Sequence, residues 1–258
     1  MEEMTFLDSL SADEALTAIY IGYYDRAPDP VGFTFWQGVL ADGFDLNNDG
    51  GSLDDIASNF SGQEETLTVH PFFTSPDAAS AGAFITELYA NLFNREPDAE
   101  GLAFWTAQLE AAIAGTCTFS VGEIILEIIN GATGDDKLII ENKITVGLAW
   151  QNAANANDIA YEGDVVASSQ SILDGVDATD ASVVVASEAI TQFVADNEPG
   201  TPVTPGETII LTTGGFDLTR DNLTGTEGND TFEAYNFELN DGDRLDGGAG
   251  SAALTYFS

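Results

Sequence analysis

The sequence predicts a mainly α-helical protein, in which an N-terminal helical bundle with a duplicated unit precedes the start of a Gly/Asp-rich β domain. Three observations predict this class. A motif recurs at a constant offset, Ala-rich stretches carry helical periodicity up to residue 197, and residues 208–258 hold short Thr- and Phe-containing runs separated by Gly, Asn and Asp. Residues 198–207, which are rich in Pro, Thr and Gly, have no periodicity and read as an extended linker between the two domains.

The duplicated unit is indicated by a motif of the form R-x-P-D-x-x-G-x-x-F-W. It occupies residues 26–36 and recurs without a gap at residues 95–105, an offset of 69 residues. Self-similarity at a fixed offset is the signature of an internal repeat. We therefore expect two copies that fold alike, over about residues 15–75 and 84–145.

Each copy of the motif predicts a corner between two helices. The aspartate stands where a helix N-cap belongs, and apolar residues at positions i, i+3 and i+7 then give the next helix one buried face. The arginine precedes the corner and is placed to bind carboxylate or carbonyl oxygens of the turn. We interpret the motif as a structural staple, and the alternative is an aromatic platform for a ligand. The motif residues are Arg26, Pro28, Asp29 and Trp36 in the first copy and Arg95, Pro97, Asp98 and Trp105 in the second.

The charge balance restricts the partners. The chain has 44 Asp and Glu against 6 Lys and Arg, a formal net charge of −38. Nucleic acids and anionic membranes are bound by clustered Lys and Arg, so neither is expected as a direct partner. No apolar run reaches the ~18 residues of a membrane span, so no direct membrane insertion is expected, and the acidic residues 1–4 do not resemble a cleavable signal peptide. The charge favours divalent cations and an extracellular or salty setting.

Residues typical of catalytic centres are scarce. Cys117 is the one cysteine and His70 the one histidine, which excludes an intrachain disulfide, a multi-cysteine zinc site and every motif that needs two histidines. With so many acids, pairs of carboxylates arise everywhere by chance and identify no acid–base couple. We therefore expect no enzymatic activity.

A first candidate calcium site lies between the predicted helices of the first copy. Asp45, Asn47 and Asp49, followed by Gly50, match positions 1, 3, 5 and 6 of a calcium-binding loop. Position 12, where a bidentate acid closes such a loop, is Ile56. The alternative is an acidic, solvated connection between helices with Asn-Asp-Gly turn chemistry.

A second candidate calcium site lies in the tail. Residues 225–232 fit the Gly-rich nonapeptide repeat of calcium-binding β-structures in all but the second position, with Asp230 at the metal-binding position. Residues 247–254 fit the same pattern, except that Ala252 replaces the acid. The alternative is a β-hairpin domain with glycine turns.

Both parts of the chain resemble known bacterial surface proteins. The repeated motif resembles the helical domain of unknown function that accompanies RTX-type calcium-binding repeats. Residues 211–217 and 222–232 are similar to the segment that opens the calcium-binding part of proteobacterial S-layer proteins. The resemblance implies an extracellular protein exported by a type I system, with an uncleaved C-terminal signal and a β-region that continues past Ser258. It implies Asp230 as a Ca²⁺ ligand and transfers no sugar-binding residue.

These observations predict a structural protein of the S-layer or adhesin type at the cell surface. In S-layer relatives an N-terminal helical domain anchors the lattice to lipopolysaccharide, so we expect residues 1–197 to bind surface polysaccharide, to self-assemble into a lattice or oligomer, or both. We expect Ca²⁺ to order the β-region. Two alternatives remain: a targeting segment of a type I-secreted RTX exoenzyme, and a helical scaffold that binds another protein. The chain lacks the H-E-x-x-H and G-x-S-x-G motifs of common RTX enzymes.

Overall fold

A computed structural model describes residues 5–41 and 53–197, together with the backbone of five short strands between residues 208 and 257. The described part of the protein is mainly α-helical. The chain divides into two compact units, Met1–Glu198 and Pro199–Ser258. The boundary between them falls within the Pro-rich segment 198–207.

Ten α-helices make up the described part of the first unit. The first copy of the motif joins α1 to α2, and the second joins α5 to α6. Across residues 5–41 and 53–197, no helix is both long and apolar enough to cross a membrane. The helices are α1 (Ala12–Tyr24), α2 (Pro30–Ala41), α3 (Leu53–Phe60), α4 (Glu64–Val69), α5 (Ala78–Phe93), α6 (Ala99–Ile113), α7 (Ile124–Asn130), α8 (Asp135–Ala156), α9 (Asp164–Ser171) and α10 (Asp180–Asn197), and 3₁₀ turns lie at Leu7–Ser9 and Pro71–Thr74.

Helix α1 lies at the centre of the core. Ser11 begins it with a capping box, in which the Ser11 hydroxyl accepts from the amide of Glu14 and the Glu14 carboxylate accepts from the amide of Ser11. Every residue from Ala15 to Tyr24 is buried. Such all-round burial follows from the position of α1, which contacts α2, α5, α7 and α8.

Trp150 on α8 attaches the last two helices to this core. Its side chain is fully buried, and its ring centroid lies 5.0 Å from that of Phe193 on α10. Its Nε1 donates to Oγ of Ser168 on α9 at 3.0 Å. One side chain on α8 therefore contacts both α9 and α10.

Residues 164–196 carry helical periodicity and hold two helices, α9 and most of α10. Between α9 and α10, Gly175 has a φ of +75°, in the left-handed region that glycine adopts most readily. Asp177 Oδ1 then accepts from the amide of Thr179 at 2.8 Å. Such side-chain bonds to the backbone compete with helical bonds, so they separate the two helices.

The second unit is described through the backbone of its strands, β1 (Thr208–Ile210), β2 (Asn222–Thr224), β3 (Asp230–Tyr235), β4 (Arg244–Asp246) and β5 (Ala252–Phe257). Successive strands alternate between two sheets, with the orders β1-β3-β5 and β2-β4, and every pairing is parallel. The register pairs Asp230 with Ala252 and Asn222 with Arg244. Residues 22 apart in the chain therefore lie side by side in these two pairings.

Candidate functional site: two arginine corners

Arg26 holds the corner between α1 and α2. Its Nη2 donates to both carboxylate oxygens of Glu65 on α4, at 3.0 and 3.1 Å, and lies 3.5 Å from Oδ2 of Asp29. Its Nη1 donates to the backbone carbonyl of Ala27 at 3.1 Å. One guanidinium therefore connects the end of α1, the start of α2 and the start of α4.

Aromatic rings enclose the same guanidinium. Arg26 Cζ lies 5.1 Å from the ring centroid of Tyr20, 4.9 Å from that of Tyr24 and 5.4 Å from that of Tyr161. The Arg26 side chain is 4% exposed, and the attraction between a cation and a ring strengthens where water is excluded. Burial raises the pKa of Tyr24 to about 12, and it also raises the pKa of Tyr161, so both phenols remain protonated at neutral pH.

The backbone of the first corner is held by Asp29. Its Oδ1 accepts from the amide of Gly32 at 2.7 Å and so caps α2, in which Pro30 is the first residue. Helix α1 ends at Asp25, whose φ of +48° lies in the left-handed region. Pro28, which lies between α1 and α2 in the sequence, is buried.

The second corner repeats these contacts around Arg95. Its Nη1 donates to the backbone carbonyl of Glu96 at 2.9 Å, and its Cζ lies 5.2 Å from the ring centroid of Tyr89. Its Nε and Nη2 donate to Oδ1 and Oδ2 of Asp136 on α8, at 2.8 and 2.6 Å, which is a bidentate pair. The partner carboxylate therefore comes from α8 in this copy, whereas α4 supplies it in the first.

The helix boundaries of the second corner also match those of the first. Asp98 Oδ1 accepts from the amide of Gly101 at 2.7 Å and caps α6. Helix α5 ends at Asn94, whose φ of +56° is again left-handed. Pro97 stands between these two residues and is half-buried.

The two corners differ in burial. The Arg95 side chain is 41% exposed, roughly ten times the exposure of Arg26. Trp36 is buried on α2, whereas Trp105 is half-buried on α6. A repeat predicts that the two tryptophans are equally buried, and this prediction is wrong for Trp105. Its Nε1 donates to the Tyr89 hydroxyl at 2.9 Å.

Lys143 on α8 is a buried cation that belongs to neither copy of the motif. Its Nζ donates to the carbonyl of Asn91 near the end of α5 at 2.6 Å and lies 3.4 Å from Oδ1 of Asp25 at the end of α1. Burial lowers the pKa of Lys143, and the nearby charge of Asp25 opposes that effect. The available sequence signal is its place between Ile140 and Ile144, on the apolar face of a helix.

Every Lys and Arg within residues 5–41 and 53–197 is in an ion pair. Arg26 pairs with Glu65 and Asp29, Arg95 with Asp136, Lys137 with Glu141, and Lys143 with Asp25. Residues 1–198 contain 34 Asp and Glu against these 4 cations, a formal charge of 4 − 34 = −30. The described helical surface therefore offers no unpaired cation to a phosphate or an acidic sugar.

The predicted calcium ligands fall largely outside the described residues. Asp45, Asn47 and Asp49 lie in segment 42–52, which the structure does not describe. Asp230 is the first residue of β3, where the backbone alone is described. Among the residues whose side chains are described, no group of three or more His, Cys, Asp or Glu is arranged to hold a metal ion.

Comparison with known proteins gives one match. Residues 65–116 match the family model described as "Domain of unknown function (DUF4214)", over about a fifth of the chain. The matched segment begins at Glu65, the partner of Arg26, and contains the whole second motif. Searches of the curated proteins and of the solved structures found no match.

Proposed function

We propose that this protein is a non-enzymatic structural protein of the extracellular cell surface, of the S-layer or adhesin type. Residues 1–197 anchor it to surface polysaccharide or lipopolysaccharide, assemble it with further copies, or both. Residues 208–258 begin a β-region that Ca²⁺ orders.

The observation that carries this proposal is the internal pairing of the cations. A surface with a charge of −30 and no unpaired cation in its described part repels phosphate and acidic sugars. Two routes to a surface glycan remain, namely contact with neutral sugar hydroxyls and bridging by a divalent cation. Ca²⁺ suits the second route, because it binds several carboxylate and other oxygen ligands in flexible geometry.

The corner geometry supports the duplication. Asp29 and Asp98 cap their helices through 2.7 Å bonds, and Arg26 and Arg95 each donate Nη1 to the carbonyl of the following residue. In our proposal the corners are structural staples that position two related helix pairs. The DUF4214 match, which contains the second motif, supports this role without adding an activity.

The strand pairing of the second unit supports a coiled β-region. Parallel pairing does not suit the hairpin alternative, because a hairpin joins antiparallel strands. The alternation of strands between two sheets suits a chain that coils with Gly-rich turns at each reversal. Asp230 would supply a carboxylate to Ca²⁺, and its neighbour in register, Ala252, would not.

Binding of the full chain to cells tests the anchoring role. Cells that carry their surface polysaccharide should bind the protein in Ca²⁺ and release most of it in a chelator, whereas cells stripped of the glycan should bind little. Mg²⁺ at equal concentration is the control for charge screening. Equal binding to stripped cells would contradict glycan anchoring.

The same experiment tests the alternative function, a helical scaffold that binds another protein. One observation favours this alternative. Phe35 and Phe104 occupy equivalent motif positions and are 61% and 55% exposed. Each contacts the neighbouring tryptophan edge-on, at 5.1 and 4.9 Å between centroids. Exposed aromatic side chains are frequent at protein interfaces, so retention on stripped cells would favour a protein partner.

A further inference from the structure

A cavity of about 230 Å³ lies beside the first arginine corner. Tyr20, Trp36 and Phe60 line it with aromatic rings, and Asp29, Glu64 and Glu65 line it with carboxylates. Pockets for drug-sized ligands start at about 300 Å³. This cavity therefore suits a smaller group, such as one sugar ring.

Two side chains that line the cavity each carry a polar atom without a hydrogen-bond partner. Tyr20 is 2% exposed and Trp36 is 8% exposed, yet within the described residues neither Tyr20 Oη nor Trp36 Nε1 makes a hydrogen bond. Neither atom is among the fully enclosed unpaired atoms of the described side chains, so each keeps some accessible surface, and both side chains line the cavity. Unpaired polar atoms on side chains this deeply buried are costly unless a ligand or water pairs with them.

The second copy of the motif shows the closed form of the same arrangement. At the equivalent positions, Trp105 Nε1 donates to Tyr89 Oη at 2.9 Å, so these two atoms satisfy each other. The rim also differs, because Glu64 and Glu65 belong to α4, whereas the partner of Arg95 lies on α8. The first copy is therefore open where the second is internally bonded.

The chemistry of the cavity selects the ligand. An anion is repelled by three carboxylates on the rim, two of which are already in contact with Arg26. A cation offers no lone pair to the indole N–H of Trp36, which is a donor only. A hydroxyl group can accept from Trp36 and donate to a carboxylate at once. Burial, together with the charge of Asp29, raises the pKa of Tyr20, so its hydroxyl also remains available as a donor.

We propose that this cavity binds one neutral sugar residue of a surface glycan, through Trp36 Nε1, Tyr20 Oη and the carboxylates of Asp29 and Glu64. The inference rests on the proposed anchoring function and gives it a specific site. It makes the first copy of the repeat the glycan-binding copy and the second a structural counterpart. A single sugar ring in so small a site binds weakly, with a dissociation constant in the millimolar range.

Indole NMR signals of the full chain test the proposal. The protein has three tryptophans, so ¹⁵N-labelled protein gives three indole N–H signals, and Trp36→Phe identifies the one from Trp36. Glucose, galactose, mannose and N-acetylglucosamine are added in turn, with glucuronate as the charged control. At least one neutral sugar should shift the Trp36 signal in a saturable manner, while the signals of Trp105 and Trp150 stay in place and glucuronate has no effect.

Matched tyrosine variants supply the second measurement. Tyr20→Phe removes the hydroxyl but keeps the ring, and should weaken sugar binding roughly 3- to 10-fold, the effect of losing one hydrogen bond. Tyr89→Phe, the equivalent change in the second copy, should leave the affinity unchanged. Equal weakening by both variants, equal shifts of all three indoles, or no shift with any sugar would overturn the proposal.

The outcomes also separate this site from the anchoring function. Glycan-dependent binding to cells without a Trp36 response would reject the cavity and leave the anchoring proposal in place. A Trp36 response without glycan-dependent cell binding would keep the cavity and reject anchoring.

Discussion

Nδ1 of His70 lies 3.2 Å from Oε1 of Glu87, an ion-pair contact whose alignment falls short of a hydrogen bond. On the other side of the ring, Nε2 donates to the backbone carbonyl of Tyr23. The one histidine of the chain is thus buried between two acceptors, a carbonyl on α1 and a carboxylate on α5. The doubly protonated imidazolium is the form that presents an N–H to each of these two groups.

The His70 site predicts that stability falls as the pH rises above about 6.5. Burial by itself lowers the pKa of His70, but its contacts with Glu87 and the Tyr23 carbonyl outweigh burial and raise it above the ordinary 6.5. A raised folded-state pKa adds stability that is complete below the unfolded pKa and is lost as the pH rises through the folded pKa. Urea unfolding between about pH 6 and 8.5 measures this effect. The free energy of unfolding should fall by ~1.4 kcal/mol for each pH unit by which the folded-state pKa of His70 exceeds the unfolded-state pKa.

The control for this prediction is Glu87→Gln, which removes the negative charge and leaves His70 in place. It should flatten the dependence on pH, and His70→Gln should abolish it. A slope that persists unchanged in His70→Gln would assign the effect to another group.

The same substitution should destabilise the protein more at Arg26 than at Arg95. Arg26→Met removes a buried guanidinium with four hydrogen bonds and three ring contacts, and should lower the free energy of unfolding by about 2–4 kcal/mol. Arg95→Met removes a pair whose arginine side chain is 41% exposed, and should lower the free energy of unfolding by under about 1 kcal/mol. Chemical denaturation measures both, and equal costs would contradict the difference in burial.

Alanine substitution of the three tryptophans should destabilise the protein to different extents, according to how deeply each ring is buried. Trp36→Ala and Trp150→Ala each empty a buried site and should cost about 3–5 kcal/mol. Trp105→Ala should cost less, about 1–3 kcal/mol, because its ring is half-buried and its main polar contact is the bond to Tyr89. Thermal or urea unfolding of the variants checks the order, and a Trp105 variant as unstable as the Trp36 variant would contradict it.

Replacement of glycine by alanine should have opposite effects on stability at Gly122 and Gly38. A Cβ at Gly122 would lie 2.8 Å from Ser58 Cα and 2.9 Å from the Ala57 carbonyl oxygen, both of them backbone atoms. Gly122→Ala should therefore destabilise the protein by about 1–3 kcal/mol. Gly38→Ala on α2 meets nothing within 4 Å and should stabilise it by ~0.5–1 kcal/mol. Urea unfolding distinguishes the two signs, and a neutral Gly122→Ala would place α3 farther from residue 122.

Removal of calcium tests the proposed β-region and the segment at residues 45–49. A hundredfold excess of Ca²⁺ over its dissociation constant should add about 2.7 kcal/mol to the stability of a folded state that binds one ion. Thermal melting in Ca²⁺ and in chelator should show the shift, and Asp230→Ala and Asp49→Ala should each reduce it if the corresponding segment binds. Full reproduction of the shift by Mg²⁺ would indicate charge screening alone.

The local features of the corners were predictable from sequence. Asp29 and Asp98 cap the helices that follow them, and the motif stands at a helix boundary in both copies. These features depend on hydrogen bonds between residues three positions apart, so a short segment specifies them wherever it lies in the fold. Helical periodicity likewise identified the helical class.

The tertiary structure alone decided which distant groups meet. The choice of Glu65 for Arg26 and of Asp136 for Arg95 depends on how α4 and α8 pack, and among 44 acids the sequence offers no means of selecting them. The same holds for buried Lys143 and for the open pair of Tyr20 and Trp36, whose counterparts in the second copy bond to each other. Local capping energies depend on neighbours along the chain, whereas burial, ion pairing and cavities depend on which segments pack together in space.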